Sequence, residues 1–282
     1  MKKILIPTDF SDCANAATMV ALDIAKRAKA EVFFLHLHKA LVEGGHMAMH
    51  GGTSAHSKHH SHQGYAKNEM DKLIHQAENL GINAKPVLVL DEGQERIEAY
   101  LQPFNIDLIV MGSHGASGLK EVFIGSNTQR MVRNSTVPVL VVKNKIDKFE
   151  PKNIVFASSF EEDVGSAFEL ITDFAVLWGA KLHLLYVNMP FNFKETDQAK
   201  ANLSRFANKM PGASINVYDA FNEERGIQKF AHEIGADLIA MTTHGRTGFM
   251  KMISPSIAES LVNHEEVPIL IVNTRFEADV KE

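Results

Sequence analysis

Asp107-Leu-Ile-Val-Met-Gly-Ser-His-Gly115 recurs 130 positions later as Asp237-Leu-Ile-Ala-Met-Thr-Thr-His-Gly245. Each copy is a short apolar run that ends in a polar loop, which reads as a buried strand delivering a loop to one edge of a sheet. The next run repeats at the same offset, Val137-Pro-Val-Leu-Val-Val142 against Val267-Pro-Ile-Leu-Ile-Val272. Towards the N-terminus the offset becomes 150. There Ile4-Leu-Ile-Pro-Thr-Asp-Phe10 matches Ile154-Val-Phe-Ala-Ser-Ser-Phe160, and Ala30-Glu-Val-Phe-Phe-Leu-His-Leu37 matches Ala180-Lys-Leu-His-Leu-Leu-Tyr-Val187. One domain is therefore written twice. The first copy holds 20 extra residues between its second and third strands. They map to Gly44–Gly64, rich in His, Gly and Ser, which reads as an inserted polar loop. The expected boundaries are a domain over 1–143, a charged linker over 144–152 with Pro151 and little that could pack, and a domain over 153–276.

Between the apolar runs lie segments of helical period. Ala17, Val20, Ala21, Ile24 and Ala28 share one face in the first copy; Val164, Phe168, Ile171, Ala175 and Trp178 do so in the second. The runs Ile4–Ile6, Val32–Leu37, Val87–Leu90, Leu108–Met111 and Val137–Val142 are apolar throughout rather than alternating. That pattern suits strands covered on both faces, and strand–helix–strand repetition implies right-handed crossovers and a parallel sheet. The fold class predicted is α/β: two tandem five-stranded, parallel, doubly wound, Rossmann-like domains.

Composition narrows the function. The 282 residues carry a formal charge of -5, which argues against a general nucleic-acid phosphate binder. The single cysteine, Cys13, excludes an internal disulfide framework and suits a reducing, cytoplasmic setting. No apolar stretch approaches the length of a membrane span, and the run at Ile4 stops at Pro7 and Asp9, too short for a signal peptide.

The chemistry concentrates after the fourth strand. Gly112-Ser113-His114-Gly115 is followed, nine residues on, by Gly125-Ser126 and a segment to Arg133 that reads as a helix. Glycines let main-chain N–H groups approach an anion, and a helix start adds unpaired donors and a favourable dipole. Ser126 and Gln129 have capping-box spacing. The same glycines also suit a purely structural turn. Position favours a ligand, because open α/β sheets bind at the carboxyl ends of their strands. Pro7-Thr8-Asp9 ends the first strand at that edge, where Asp9 serves equally as a hydrogen-bond acceptor for a base or ribose and as a helix cap.

The strand ending at Asp9, the spaced Gly112, Gly115, Gly125 and Ser126, and the closing Val-Pro-Val-Leu-Val-Val run resemble the universal stress protein family, twice over. The resemblance implies a strand order of 3-2-1-4-5 in each copy, the adenine nucleotide alpha hydrolase-like arrangement, and ATP with Mg²⁺ as the ligand. Carried over by position, Pro7, Thr8, Asp9 and Leu37 would surround adenine and ribose. Met111, Gly112, Gly115, Gly125, Ser126 and Asn127 would hold ribose and phosphates. Family dimers pair their final strands, so 137–142 and 267–272 are expected to pair within this chain as a pseudo-dimer, with association of two chains left open.

The second copy departs from the pattern: Ser159 stands for Asp9, Thr242 for Gly112 and Pro255 for Gly125. One nucleotide per chain, in residues 1–143, is the expectation. Six histidines, His46, His50, His56, His59, His60 and His62, crowd the insertion without a fixed ligand spacing. They would bind Zn²⁺ or Ni²⁺ incidentally in a mobile loop, or constitute a metal site. No Walker lysine, nucleophile elbow or kinase set is present, and Lys120 is misplaced for the first. The expectation is a stress-response, ATP-binding regulatory module that is not an enzyme and acts on an unknown protein partner. Its rivals are a slow ATPase or autophosphorylating phosphotransferase and a metal-handling protein.

Overall fold

The computed structural model describes residues 1–39, 54–91, 96–115, 124–160, 164–243 and 254–274. The first copy runs β1 (Lys3–Pro7), α1 (Asp12–Ala28), β2 (Glu31–Lys39), α2 (Ser54–Asn79), β3 (Ala84–Asp91), α3 (Leu101–Phe104), β4 (Leu108–Gly112), α4 (Ser126–Asn134) and β5 (Val139–Val142). The second runs β6 (Asn153–Ala157), α5 (Gly165–Trp178), β7 (Lys181–Asn188), α6 (Thr196–Ala207), β8 (Ser214–Asp219), α7 (Glu223–Ile234), β9 (Leu238–Thr243), α8 (Pro255–His264) and β10 (Ile269–Asn273).

The apolar runs form strands because both their faces are covered. In β1, Ile4 and Ile6 enter one core while Leu5 enters the other. The ten strands form one sheet in the order β3-β2-β1-β4-β5-β10-β9-β6-β7-β8, so each copy has the expected 3-2-1-4-5 order. Pairing is parallel within each copy. At the centre β5 and β10 pair antiparallel, Leu140 opposite Leu270, so neither closing strand is left as a bare apolar edge.

The repeat extends to the backbone. Phe10 and Phe160 both hold positive φ, 63° and 54°. The left-handed helix ends Lys29 and Gly179, and Asn105 and Gly235, recur in the same way. Asp107 accepts the amide of Lys3 at 3.0 Å, as Asp237 accepts that of Asn153 at 2.8 Å.

Two expectations need correction. The segment Gly44–Gly64 is not a loop throughout, because residues 54–64 are the opening turns of the 26-residue α2. No proline interrupts 54–79, and Ala66, Met70, Leu73 and Ala77 give the helix a buried stripe from which it extends. The linker also packs. Phe149 is 2% exposed, donates its amide to Asp23 Oδ2 at 2.8 Å, and sits edge-on to Trp178 with ring centroids 5.4 Å apart. Further polar contacts join the copies: Arg133 and Gln129 both reach the Glu259 carboxylate, and Lys143 Nζ donates to the Asn263 carbonyl at 2.8 Å. Among the described residues, no helix is long and apolar enough to cross a membrane.

Candidate functional site

β1 and β4 are neighbours, and the chain winds outward from them in opposite directions, so the crevice beyond their carboxyl ends is a topological switch point. A cavity of about 320 Å³ opens there. All ten residues assigned from sequence line it: Pro7, Thr8, Asp9, Leu37, Met111, Gly112, Gly115, Gly125, Ser126 and Asn127. The sequence reading missed Ala14, Leu35, Ile97 and Thr128, and left His114 open. Thr128 was legible in principle, one residue beyond Asn127 on the same helix start; Ile97 was not, because its short helical turn lies far along the chain.

The first wall is held by backbone. The Thr8 amide donates to the Leu35 carbonyl at 2.8 Å, and the Thr8 carbonyl accepts from His36 Nδ1 at 2.8 Å. Thr8 Oγ1 accepts the Phe10 amide at 3.0 Å, which fixes the left-handed turn after β1. Asp9 is exposed; its Oδ1 accepts the Ser11 amide at 3.1 Å, and Ser11 in turn caps α1 through Ala14. Asp9 therefore has both roles available: one oxygen orders the turn while the carboxylate faces the cavity.

The opposite wall is the start of α4. Its N-cap is Gly125, with no side-chain cap, and the first helical bond is Gln129 N–H to the Gly125 carbonyl at 2.8 Å. The predicted capping box does not form, since Gln129 Nε2 donates to Glu259 Oε2 instead. The amides of Ser126, Asn127 and Thr128 precede the helical ladder and have no helical acceptor. They lie at the cavity with the positive end of the helix dipole. Thr128 Oγ1 donates to the Gly112 carbonyl at 2.8 Å, tying the helix to β4. Among the described residues lining the cavity there is no lysine or arginine, so the positive character of its described wall comes from main-chain dipoles.

The glycines act differently from the simple picture of clearance for phosphate. A Cβ on Gly112 would meet Cys13 Sγ at 2.8 Å and the Cys13 backbone at 3.0 Å, so this glycine lets α1 approach β4. The Gly125 amide is not free for an anion, because it donates to the Ser113 carbonyl at 2.8 Å and closes the base of the loop. Gly115 does face the cavity, where a Cβ would collide with the Asp9 carboxylate.

The equivalent place in the second copy differs among the described residues. Ser158, Ser159, Phe160, Thr242 and Thr243 are all buried, and Ser158 Oγ lies 3.0 Å from Thr242 Oγ1. Val164 stands where the first copy has Ala14. Helix α7 presses on Val187, the counterpart of Leu37, so tightly that a Cβ on Gly226 would lie 2.5 Å from Val187 Cγ1. Arg246 lies outside the described residues.

His46 and His50 also lie outside the described residues. His56, His59, His60 and His62 fall in the opening turns of α2, their side chains outside the described set. Among the described residues, no group of three or more His, Cys, Asp or Glu side chains could hold a metal ion.

The fold and cavity together define a doubly wound α/β protein with a crevice at its switch point. The sequence profile of the universal stress protein family matches residues 1–143 and 150–273, and the chain belongs to that family. A universal stress protein of Methanocaldococcus jannaschii is 31% identical over 155 residues, 51% of this chain and 96% of that one. One from Bacillus subtilis is 30% identical over 148 residues, 50% of this chain and 98% of its own. A universal stress protein structure from Archaeoglobus fulgidus shares the fold across 96% of this chain and 98% of its own, with a TM-score of 0.72 at 22% identity.

Proposed function

We propose that this chain is a nucleotide-responsive binding protein of the stress response that takes one adenine nucleotide, ATP with Mg²⁺, in its first copy. The observation that carries the reading is the uncapped start of α4, its Ser126, Asn127 and Thr128 amides bordering a crevice that also holds the apolar side chains of Pro7, Leu35, Leu37, Ile97 and Met111. Such a pairing suits a ligand with a flat apolar end and an anionic end. Pro7, Leu35, Leu37, Ile97 and Met111 would enclose the base. Asp9 would accept from its amine or from ribose, and the α4 amides would hold phosphate. A cavity of about 320 Å³ is near the lower end of ordinary ligand sites, which suits one nucleotide. The buried Ser159 and Thr242 and the tight α7–Val187 packing support a second copy that takes none.

Calorimetric titration with ATP and Mg²⁺ tests the reading. One site per chain is expected, lost on Gly115→Val; two equivalent sites would refute it. The rival slow ATPase is separated by phosphate release over hours. The proposal expects turnover far below ordinary enzyme rates of about 1–10³ s⁻¹.

A further inference from the structure

Helices α1 and α5, one from each copy, pack on the same face of the sheet. Between them the repeat creates two half-grooves, and among the described residues the chain fills one. In the filled half Phe149 is buried, its ring centroid 5.4 Å from that of Trp178 and 6.4 Å from that of Phe174. Its amide donates to Asp23 Oδ2 of α1 at 2.8 Å. This kind of groove therefore holds an aromatic ring and, beside it, an N–H donor on an aspartate.

The other half is a cavity of about 500 Å³ beside the starts of β4 and β5. The repeat offset of 150 puts Asp173 where the filled half has Asp23, and Ala28 where it has Trp178; both line the cavity. An indole in one half is thus a methyl group in the other, which leaves room. Leu108, Leu170, Phe174 and Leu270 give the cavity apolar walls. Every charged side chain that lines it is a carboxylate: Asp107, Glu169 and Asp173. Asp107 is committed to the Lys3 amide at 3.0 Å. Glu169 and Asp173 are exposed, and among the described residues neither has an ion-pair partner. They stand one turn apart on α5, close enough for one cation to meet both.

We propose that this second half-groove binds a small organic cation with an aromatic body, an arylalkylamine. The ring lies between Phe174 and Leu270, in the room that Ala28 leaves, and the ammonium meets Asp173 and Glu169 as the Phe149 amide meets Asp23. The chain itself supplies the precedent, since the mate of this cavity already holds a ring and an N–H donor in that arrangement. A volume of about 500 Å³ lies within the ordinary range of small-molecule sites. The carboxylates also set the sign of the ligand: they attract an ammonium and repel an anion of the same shape.

Calorimetric titration of the full chain tests this, with tryptamine as the probe, tryptophol as its neutral counterpart and indole-3-propionate as the anion. One tryptamine per chain is expected, with a Kd below about 1 mM. Tryptophol should bind at least about fivefold more weakly, and indole-3-propionate not at all. Asp173→Asn changes an exposed side chain, so it should fold; it should weaken tryptamine at least about fivefold and leave tryptophol unchanged. Ala28→Trp puts the mate's indole into the cavity and should abolish binding, with circular dichroism confirming the fold. Absence of saturable tryptamine binding would overturn the proposal, as would tryptophol binding equally tightly. Tryptamine binding indifferent to Asp173→Asn, or retained in a folded Ala28→Trp protein, would put the ligand elsewhere and overturn the site.

Discussion

The proposed anion site rests on three main-chain amides, and one of them can be deleted with little disturbance to the fold. Ser126 is the first residue of α4, a position where proline is tolerated because its missing N–H has no helical acceptor. The preceding residue must be extended, and Gly125 already is, with φ -62° and ψ 146°. Helix α8 accepts Pro255 at its own first position. Ser126→Pro should therefore fold normally and lose one donor. A hydrogen bond to a charged phosphate is worth about 1.5–3 kcal/mol, which predicts ATP affinity weaker by about 10- to 150-fold. The assay is calorimetric titration with Mg²⁺ present, with Ser126→Ala separating the hydroxyl from the amide and circular dichroism confirming the helix. Wild-type affinity in a folded Ser126→Pro protein would refute the reasoning, as would an equal loss in Ser126→Ala.

Gly115→Ala should weaken nucleotide binding by displacing the Asp9 carboxylate and leave the melting temperature near that of the wild type, because its Cβ meets only that exposed side chain at the crevice; unchanged affinity by titration would count against the site. Phe149→Ala empties a buried aromatic plug and should cost about 3–5 kcal/mol, read as a lower urea midpoint. Burial alone would raise the Glu259 pKa, but hydrogen bonds from Arg133 and Gln129 and the Arg133 charge hold it below the ordinary value of 4.5. Its pairing therefore stabilises the fold above the carboxylate range, and that contribution is lost as pH falls through the lowered pKa. Urea melts of Glu259→Gln should lack this part of the acid dependence. Burial raises Glu223 to about 7, so ionising it opposes folding as pH climbs from 4.5 through 7. Glu223→Gln should be the more stable protein at pH 8, with the gain vanishing near pH 4 in the same measurement.

What the sequence made legible was what repeats. The strands were readable because runs such as Ile4–Ile6 and Leu108–Met111 are apolar on both faces, and the paired offsets placed them in two equivalent sheets. The cavity residues were readable because they cluster at two strand ends and one helix start. What escaped depends on single contacts between distant parts of the chain. Phe149 looks like one aromatic in a solvated run, and only the groove lined by Asp23 and Trp178 explains it. Gly112 looks like a phosphate glycine until Cys13 is seen behind it. The histidine-rich stretch looked like a loop because its polar composition hid a helix anchored further along, at Met70 and Leu73.

The antiparallel seam between β5 and β10 has an evolutionary consequence. In an isologous homodimer every substitution appears on both sides of the axis, so a change that seals one crevice seals its twin. A covalent tether removes that constraint. It also holds the halves at an effective concentration that frees the seam from having to assemble separate molecules. Each half can then change by itself: Thr242 and Phe160 are buried in the second copy, while Asp9 stays exposed at the crevice of the first.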